Sequence, residues 1–136
     1  MRVLSRRIAS KSQGEHRKIL IADDDSTLRL LVSTTLSGDE YNIIEAATGV
    51  EALLAARAQH PMLVLLDVNM PDLDGLEVCR RIKSDPELND VKIIMLTGAN
   101  HPTDQEAGLA AGADAYLTKP FRPLELLKAI DSAGSV

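Results

Sequence analysis

The sequence predicts an α/β fold in which a doubly wound, five-stranded parallel sheet is covered by five helices. Five short apolar runs recur between residues 18 and 118, and segments with helical spacing separate them. Three of the runs, ILIA, LVLL and IIML, are apolar throughout. Strands of that composition are buried on both faces, which is typical of a parallel sheet between two layers of helices. Strands that alternate with helices therefore indicate one α/β domain.

The segments between the runs each predict one helix. The second begins with Thr48-Gly49-Val50-Glu51, which has the spacing of a capping box. The fourth, over residues 103–111, is rich in alanine and offers little apolar surface to a sheet. The apolar positions expected to face the core are Leu28, Leu31, Val32 and Leu36 in the first helix, Val50, Leu53 and Leu54 in the second, Leu76, Cys79 and Ile82 in the third, and Leu124, Leu127 and Ile130 in the fifth.

The composition is that of a soluble globular domain. The chain has 136 residues, of which 45% are hydrophobic and 26% charged, enough for one sizeable core. Its three aromatic residues, Tyr41, Tyr116 and Phe121, are too few for a surface on which nucleic-acid bases stack. The single cysteine, Cys79, excludes an internal disulfide and suits a core position in a reducing, cytoplasmic compartment. No apolar run approaches the roughly 18 residues that span a membrane.

The charge is distributed unevenly along the chain. Residues 1–18 contain six basic side chains and one acidic one, which leaves nine basic and nineteen acidic side chains in the remainder. An acidic body repels nucleic acid, so direct DNA binding by the domain is not expected. Residues 1–17 are interpreted as a basic, flexible tail, although their composition also resembles an organellar transit peptide. Residues 132–136 fit a free tail and the start of a linker equally well.

Polar side chains stand where four of the five apolar runs end. They are Asp23-Asp24-Asp25 after the first run, Asp67 after the third, Thr97-Gly98 after the fourth and Thr118-Lys119 after the fifth. Because the carboxyl ends of parallel strands share one edge of the sheet, these groups are expected to meet there. A solvated turn, a helix cap or a surface charge would explain any one of them alone. Four matching ends together favour a functional site.

The chemistry of these residues indicates a cation and a phosphoryl group. Crowded carboxylates repel, and without compensation one of them becomes protonated. A hard divalent cation that prefers oxygen ligands and retains water, such as Mg²⁺, removes the conflict. Lys119 would then neutralise phosphoryl oxygens, Thr97 would donate a hydrogen bond to them, and Gly98 would leave them space. Asp67, at the end of the third strand, is the natural nucleophile and would form an acyl phosphate.

Four stretches, ILIADDDSTLR, LVLLDVNMPDLDG, IIMLTG and GADAYLTKPF, resemble in order and separation the response-regulator receiver domains of two-component signalling. The resemblance covers about residues 18–131. It implies a flavodoxin-like three-layer sandwich with strand order 2-1-3-4-5. It also implies a phosphorylation-controlled switch, not an enzyme with a separate substrate. Such a switch accepts its phosphoryl group from a sensor histidine kinase or a histidine phosphotransfer protein.

Position by position, the resemblance makes Asp67 the phosphoacceptor. Asp23 and Asp24 match the acids that hold Mg²⁺, and Asn69 matches the residue whose backbone carbonyl completes the metal's ligands. One rival interpretation is a phosphohydrolase with an aspartyl nucleophile, which shares the topology, the nucleophile and the lysine. Such an enzyme needs an acid two residues after the nucleophile to protonate the leaving group, and Asn69 occupies that position.

The remaining positions of the resemblance concern the switch. Thr97 matches the switch hydroxyl, Lys119 the phosphate-binding lysine and Tyr116 the switch aromatic, and the Lys119-Pro120 bond is expected to be cis. Ala99 matches a position that tunes dephosphorylation. It cannot orient an attacking water, so a moderately long-lived acyl phosphate is expected.

The output of the switch is left open by the sequence. The resemblance implies that phosphorylation alters the face made by helix 4, strand 5 and helix 5. This face would contact a downstream protein or a fused output domain. A phosphorylation-dependent dimer is also compatible with the resemblance. A stand-alone regulator and a fragment of a transcription factor, a cyclase or a hybrid kinase all fit. So does a pseudo-receiver scaffold that is never phosphorylated, although the intact acids, Thr97 and Lys119 argue against it.

Overall fold

A computed structural model describes residues 17–38, 40–98 and 102–134. Most of the predicted basic tail, together with Ala99 and the last two residues, lies outside the described residues. Five strands form one sheet: β1 Lys18–Ala22, β2 Asn42–Ala46, β3 Leu63–Asp67, β4 Lys92–Gly98 and β5 Ala115–Lys119. All of their pairings are parallel, and their order is β2-β1-β3-β4-β5. The predicted strand order is confirmed.

Five helices separate and follow the strands in the described residues. They are α1 Ser26–Thr35, α2 Gly49–Gln59, α3 Gly75–Ser84, α4 Pro102–Ala110 and α5 Pro123–Gly134. Helix α5 thus continues three residues past the predicted end of the domain at residue 131. None of the helices in the described ranges is both long and apolar enough to cross a membrane.

The sheet separates two apolar clusters, which makes the molecule three layers thick. Alternate residues of a strand point to opposite faces, and β1 shows this directly. Leu20 packs in the cluster that contains α2 and α3, whereas Ile19 and Ile21 pack in the cluster that contains α1 and α5. The residues of β3 are buried along its whole length. The continuously apolar runs are therefore strands covered on both sides, as their composition predicts.

The predicted core face of α2 is wrong in part. Leu53 is buried, but Val50 and Leu54 are exposed, the latter to 59%. Ala52 and Ala56 instead share the inner face with Leu53. Alanines let the helix approach the sheet closely, and they contribute too little hydrophobicity to stand out in a sequence pattern.

The predicted core face of α5 is also wrong in part. Leu124 and Leu127 are exposed, whereas Leu126 is fully buried together with Ile130. Residues 126, 130 and 133 follow one another at intervals of four and three, so they lie on one side of the helix. The sequence contains two overlapping apolar stripes, one with Leu124 and Leu127 and one with Leu126, and only packing against the sheet decides which one is buried.

The capping box predicted for α2 forms only in its first half. Thr48 Oγ1 accepts a hydrogen bond from the Glu51 backbone amide at 3.1 Å. The Glu51 carboxylate accepts from the amide of Ala47 at 2.9 Å, one residue before the amide that a capping box would use. Both side chains nevertheless accept hydrogen bonds from backbone amides at the start of the helix.

The segment after α4 is attached to the sheet by a polar clamp formed by Lys83 and Asp114. Asp114 Oδ2 accepts hydrogen bonds from the Lys83 ammonium and from the Ile93 backbone amide, both at 2.8 Å. Lys83 also donates to the carbonyl of Val91 at 2.7 Å. Burial opposes ionisation of Asp114, but these donors outweigh it and lower the pKa of its carboxyl. The clamp therefore joins α3, the start of β4 and the start of β5.

Cys79 lies buried in α3 among the apolar residues of the core. Its Sγ lies 3.6 Å from the carbonyl oxygen of Ala111. Burial raises the pKa of the thiol to about 11. The interpretation of Cys79 as a small core residue is confirmed.

We predict that Leu126→Ala lowers the free energy of unfolding by about 2–5 kcal/mol, because it leaves a cavity in a fully buried site. Leu124→Ala in the same helix is the matched control. Its side chain is 61% exposed, so a change within roughly 0.5 kcal/mol is expected. Urea denaturation of both variants measures the difference. A larger loss for Leu124→Ala would show that the helix presents its other face to the sheet.

Candidate cation and phosphoryl site

Three carboxylates meet where the neighbouring strands β1 and β3 end. Asp23 follows the last residue of β1, and Asp67 is the last residue of β3. One oxygen of each of Asp23, Asp24 and Asp67 lies within 4.8 Å of the others. Asp23 and Asp67 are buried, whereas Asp24 is exposed. The structure thus brings together the three acids that the sequence singled out.

Lys119, the last residue of β5, extends to both buried carboxylates. Its Nζ lies 2.8 Å from Asp23 Oδ2 and 3.3 Å from Asp67 Oδ1. The Lys119-Pro120 peptide bond is cis, as the resemblance implied. An ammonium between two buried carboxylates offsets part of their repulsion.

The positive charge of Lys119 only partly offsets the negative charges of the acids at this site. Burial and the neighbouring Asp23 raise the pKa of Asp67, and the lowering effects of Lys119 and of the Asn69 amide do not cancel the increase. Burial by itself would lower the pKa of Lys119, but Asp23 and Asp67 outweigh it and raise that pKa. The ammonium is therefore held in its charged form, while the ionised form of Asp67 stays disfavoured. The site has an excess of negative charge.

The donor set fits a divalent cation. Three carboxylates face one ammonium, and every candidate ligand atom is an oxygen. Mg²⁺ prefers oxygen ligands and retains water when a site supplies only a few of them. The exposed position of Asp24 would leave room for such waters.

Thr97 presents a buried hydroxyl near the same edge. It follows Leu96, which pairs with Asp67 of β3. On the other side of β4, Thr97 pairs with Thr118, the residue before Lys119 on β5. Its side chain is buried, and within the described part of the chain its Oγ1 has no hydrogen-bond partner. A buried hydroxyl without a partner costs free energy. An acceptor that arrives at this edge could remove that cost.

The other two predicted site residues lie on the surface. Asn69 is exposed, and its backbone amide donates to Asp67 Oδ1 at 3.3 Å. Tyr116 lies on β5 with 43% of its surface exposed. The structure therefore places Asn69 against Asp67, and it places Tyr116 at an exposed position of the edge strand β5.

Sequence reasoning missed Arg29, which supports the acidic loop from α1. Its Nη1 donates to the backbone carbonyl of Asp23 at 2.7 Å, and its Nε donates to Glu45 Oε1 at 3.0 Å. Asp25, the third acid of the triplet, caps α1 by accepting from the amides of Thr27 and Leu28. The one-turn spacing from Asp25 to Arg29 could have indicated that the guanidinium lies over this loop.

A doubly wound parallel sheet that collects buried acids, a lysine and a threonine at one edge is the arrangement that the resemblance to aspartate-phosphorylated signalling domains implied. The chain belongs to the response regulator receiver domain family, whose family model matches residues 19–131.

Individual relatives agree with this assignment. The chain is 42% identical over 128 residues to "Probable transcriptional regulator ycf27" of Porphyridium aerugineum, an alignment that covers 89% of this chain and 52% of that protein. The chain thus spans about half the length of the curated relatives it matches.

Two solved structures illustrate the similarity of fold. The chemotaxis response regulator CheY4 of Vibrio cholerae is 35% identical with a TM-score of 0.80, covering 86% of this chain and 98% of that one. The receiver domain of the sensor histidine kinase PA1611 from Pseudomonas aeruginosa PAO1, solved with a magnesium ion in its active site cleft, is 29% identical with a TM-score of 0.80, covering 88% and 98%.

We predict that Asp67→Asn stabilises the protein when divalent cations are absent. The raised pKa of Asp67 means that its ionised form is less favourable in the folded than in the unfolded state. Stability from this group is therefore complete at acidic pH and is lost as the pH rises through the folded pKa. At neutral pH in a chelator, the melting temperature of Asp67→Asn should exceed that of the wild type by a few degrees. The difference should vanish toward pH 3–4, a range that lies at or below the ordinary aspartate pKa of about 3.9.

Asp131→Asn, a substitution at an exposed position of α5, serves as the charge-matched control and should leave the melting temperature nearly unchanged. Adding Mg²⁺ should then raise the melting temperature of the wild type more than that of Asp67→Asn, because binding to the folded state stabilises it. A lower melting temperature for Asp67→Asn in the chelator would contradict the electrostatic account.

Proposed function

We propose that Asp67 is the phosphoacceptor of a phosphorylation-controlled switch. The observation that carries this proposal is the contact between a buried Asp67 carboxylate, the Lys119 ammonium and the acids Asp23 and Asp24 at one sheet edge. A carboxylate in this setting can act as a nucleophile once its charge is balanced.

We propose that Mg²⁺ is the resident cation, held by Asp23, Asp24, Asp67 and the backbone carbonyl of Asn69. When bound, the metal supplies positive charge to the oxygens of the transferring phosphoryl group. The oxygen-only donor set supports this choice, as does the magnesium ion reported for the PA1611 receiver domain.

The residues of this chain would perform the transfer as follows. A carboxylate oxygen of Asp67 attacks the phosphorus of a phosphohistidine, the bond from phosphorus to the imidazole nitrogen breaks, and the imidazole takes up a proton as it leaves. Lys119 pairs with the phosphoryl oxygens, and its raised pKa keeps it charged at neutral pH. Thr97 donates its unpartnered hydroxyl to another phosphoryl oxygen. Water then reverses the modification by hydrolysis of the acyl phosphate.

The switch would act through Thr97, Tyr116 and α4. Movement of Thr97 toward the phosphoryl group would vacate space that the exposed ring of Tyr116 can fill. Helix α4 offers little apolar side-chain surface to the sheet, because Leu109 is exposed and the residue buried against Met95 of β4 is Gly108. A hydrogen bond of 3.3 Å from Gln105 to Thr118 joins it to β5. Elements with few apolar contacts rearrange at the lowest cost.

We propose a sensor histidine kinase or a histidine phosphotransfer protein as the phosphoryl donor, and the face formed by α4, β5 and α5 as the output surface. The matched relatives are about twice as long as this chain and include named transcriptional regulators, which supports a fused or separate output module. The excess of acidic side chains disfavours nucleic-acid binding by the domain itself. A cytoplasmic location would suit such partners.

The phosphohydrolase alternative requires an acid two residues after the nucleophile, and the chain has no acid there. Asn69 stands two residues after Asp67 and cannot act as a general acid. We propose that the chain catalyses only its own phosphorylation and dephosphorylation.

The labelling experiment uses a small phosphodonor such as acetyl phosphate with Mg²⁺ and intact-mass spectrometry. The wild type is expected to gain the mass of one phosphoryl group, and the Asp67→Asn variant none. Asp131→Asn should be labelled like the wild type. Labelling of Asp67→Asn to the wild-type extent, or no labelling of the wild type, would refute the assignment of Asp67. Turnover of a phosphomonoester at enzymatic rates would favour the hydrolase instead.

Thr97→Val tests the role of the unpartnered hydroxyl. Removing a buried polar group that lacks a partner should raise the free energy of unfolding of the unphosphorylated protein by about 1 kcal/mol. Beryllofluoride with Mg²⁺, which mimics the acyl phosphate, should stabilise this variant less than it stabilises the wild type. Thermal unfolding with and without beryllofluoride measures both effects. Equal stabilisation of the two proteins would remove Thr97 from the mechanism, and none in either would favour a pseudo-receiver.

A further inference from the structure

We infer that Asp72 is a positioning residue for the cation site, an inference that rests on the function proposed above. Residues 68–74 connect β3 to α3 and include Asn69, the residue expected to contribute a backbone carbonyl to the metal. Asp72 lies in this loop and attaches it to the start of α2, an element distant in sequence.

The carboxylate of Asp72 binds the first amides of α2. Its Oδ1 accepts hydrogen bonds from Gly49 N at 3.0 Å and from Val50 N at 3.3 Å, and it also accepts from the amide of Leu73. The first amides of a helix lack partners within the helix. Thr48 serves the amide of Glu51. Asp72 therefore supplies an acceptor that Thr48 does not provide, and the Pro71 carbonyl accepts a longer hydrogen bond, of 3.5 Å, from the Gly49 amide.

The backbone conformation of Asp72 is one that glycine adopts with less strain. Its φ is +65°, in the left-handed region where glycine is unstrained and aspartate is tolerated at a cost. Glycine would therefore suit this turn better if only the backbone mattered. The contacts of the carboxylate with α2 compensate for the strain.

Two glycines allow the backbone to pack closely at either side of Asp72. A Cβ at Gly49 would lie 1.7 Å from the carbonyl oxygen of Leu73, and a Cβ at Gly75 would lie 1.9 Å from the carbonyl oxygen of Asp67. The amide of Gly75 donates to the carbonyl of Val68 at 2.9 Å. The loop is thus pressed against α2 on one side and against the end of β3 on the other.

These contacts determine where Asn69 lies relative to Asp67. The amide of Asn69 donates to Asp67 Oδ1, and a loop that drifted from α2 would carry Asn69, whose carbonyl is the proposed ligand, away from Asp67. Asp72 itself is not within the acidic group formed by Asp23, Asp24 and Asp67. Its loss should therefore weaken cation binding while leaving the nucleophile, Lys119 and Thr97 in place.

The experiment compares Asp72→Gly with Asp72→Asn in the full chain. Glycine relieves the backbone strain but removes the acceptor, whereas asparagine keeps an oxygen acceptor and tolerates the same φ. Titration calorimetry with Mg²⁺ alone should show a dissociation constant about tenfold higher for Asp72→Gly, comparable to the smallest effects of mutating residues that orient metal ligands. Asp72→Asn should bind Mg²⁺ nearly as tightly as the wild type.

Labelling with acetyl phosphate separates positioning from general damage. Asp72→Gly should need about ten times more Mg²⁺ for half-maximal labelling, yet its rate at saturating Mg²⁺ should stay within about twofold of the wild type. Amide hydrogen exchange at Gly49 and Val50 should be faster in Asp72→Gly and unchanged in Asp72→Asn, which reports the contact independently of the cation.

Distinct results would overturn the inference. Wild-type Mg²⁺ affinity in Asp72→Gly, with faster exchange at Gly49 and Val50, would show that the contact is broken without consequence for the site. An equal loss of affinity in Asp72→Asn would assign the effect to the charge instead of the hydrogen bonds. Absence of Mg²⁺ binding and of labelling in the wild type would refute the proposed function itself, a result distinguishable from both.

Discussion

The mutual repulsion of carboxylates at the end of β1 and β3 is the constraint on which the rest of the site depends. Asp23 and Asp67 are buried, where charge is least tolerated. Lys119 approaches both of them but supplies one positive charge against three acids. Burial first, and the charge of Asp23 second, keep the pKa of Asp67 raised despite Lys119. The folded protein is therefore under electrostatic strain that a divalent cation would relieve, and the proposed phosphoryl group would add further negative charge at the same place.

The fold was readable from the sequence because its main signal is strong. Runs such as LVLL are apolar without interruption, and every residue of β3 proved to be buried. The site was readable for a related reason, since parallel strands bring their carboxyl ends together and the chemistry stands at those ends. Asp23, Asp67 and Lys119 needed no tertiary information beyond the order of the strands.

Other features depend on packing and could not be derived from periodicity. The inner faces of α2 and α5 differ from prediction because alanines carry little signal and because two apolar stripes overlap in α5. The contacts of Arg29 with Asp23 and of Asp72 with Gly49 join segments through side-chain reach and loop conformation. Neither side-chain reach nor loop conformation produces a periodic pattern in the sequence. Such contacts surround the candidate site, so the sequence indicated which polar residues lie together at the sheet edge better than it indicated the residues that contact them.

The burial of Cys79 has a practical consequence. With a thiol pKa of about 11, roughly one molecule in ten thousand carries the reactive thiolate at neutral pH, and the sulfur is shielded by the core in addition. Thiol-directed reagents should therefore find little to attack in the native chain, whose sequence contains no other cysteine. A spectroscopic label attached to a cysteine engineered on the surface of α4 would therefore report motion of that helix without a second signal from labelled Cys79.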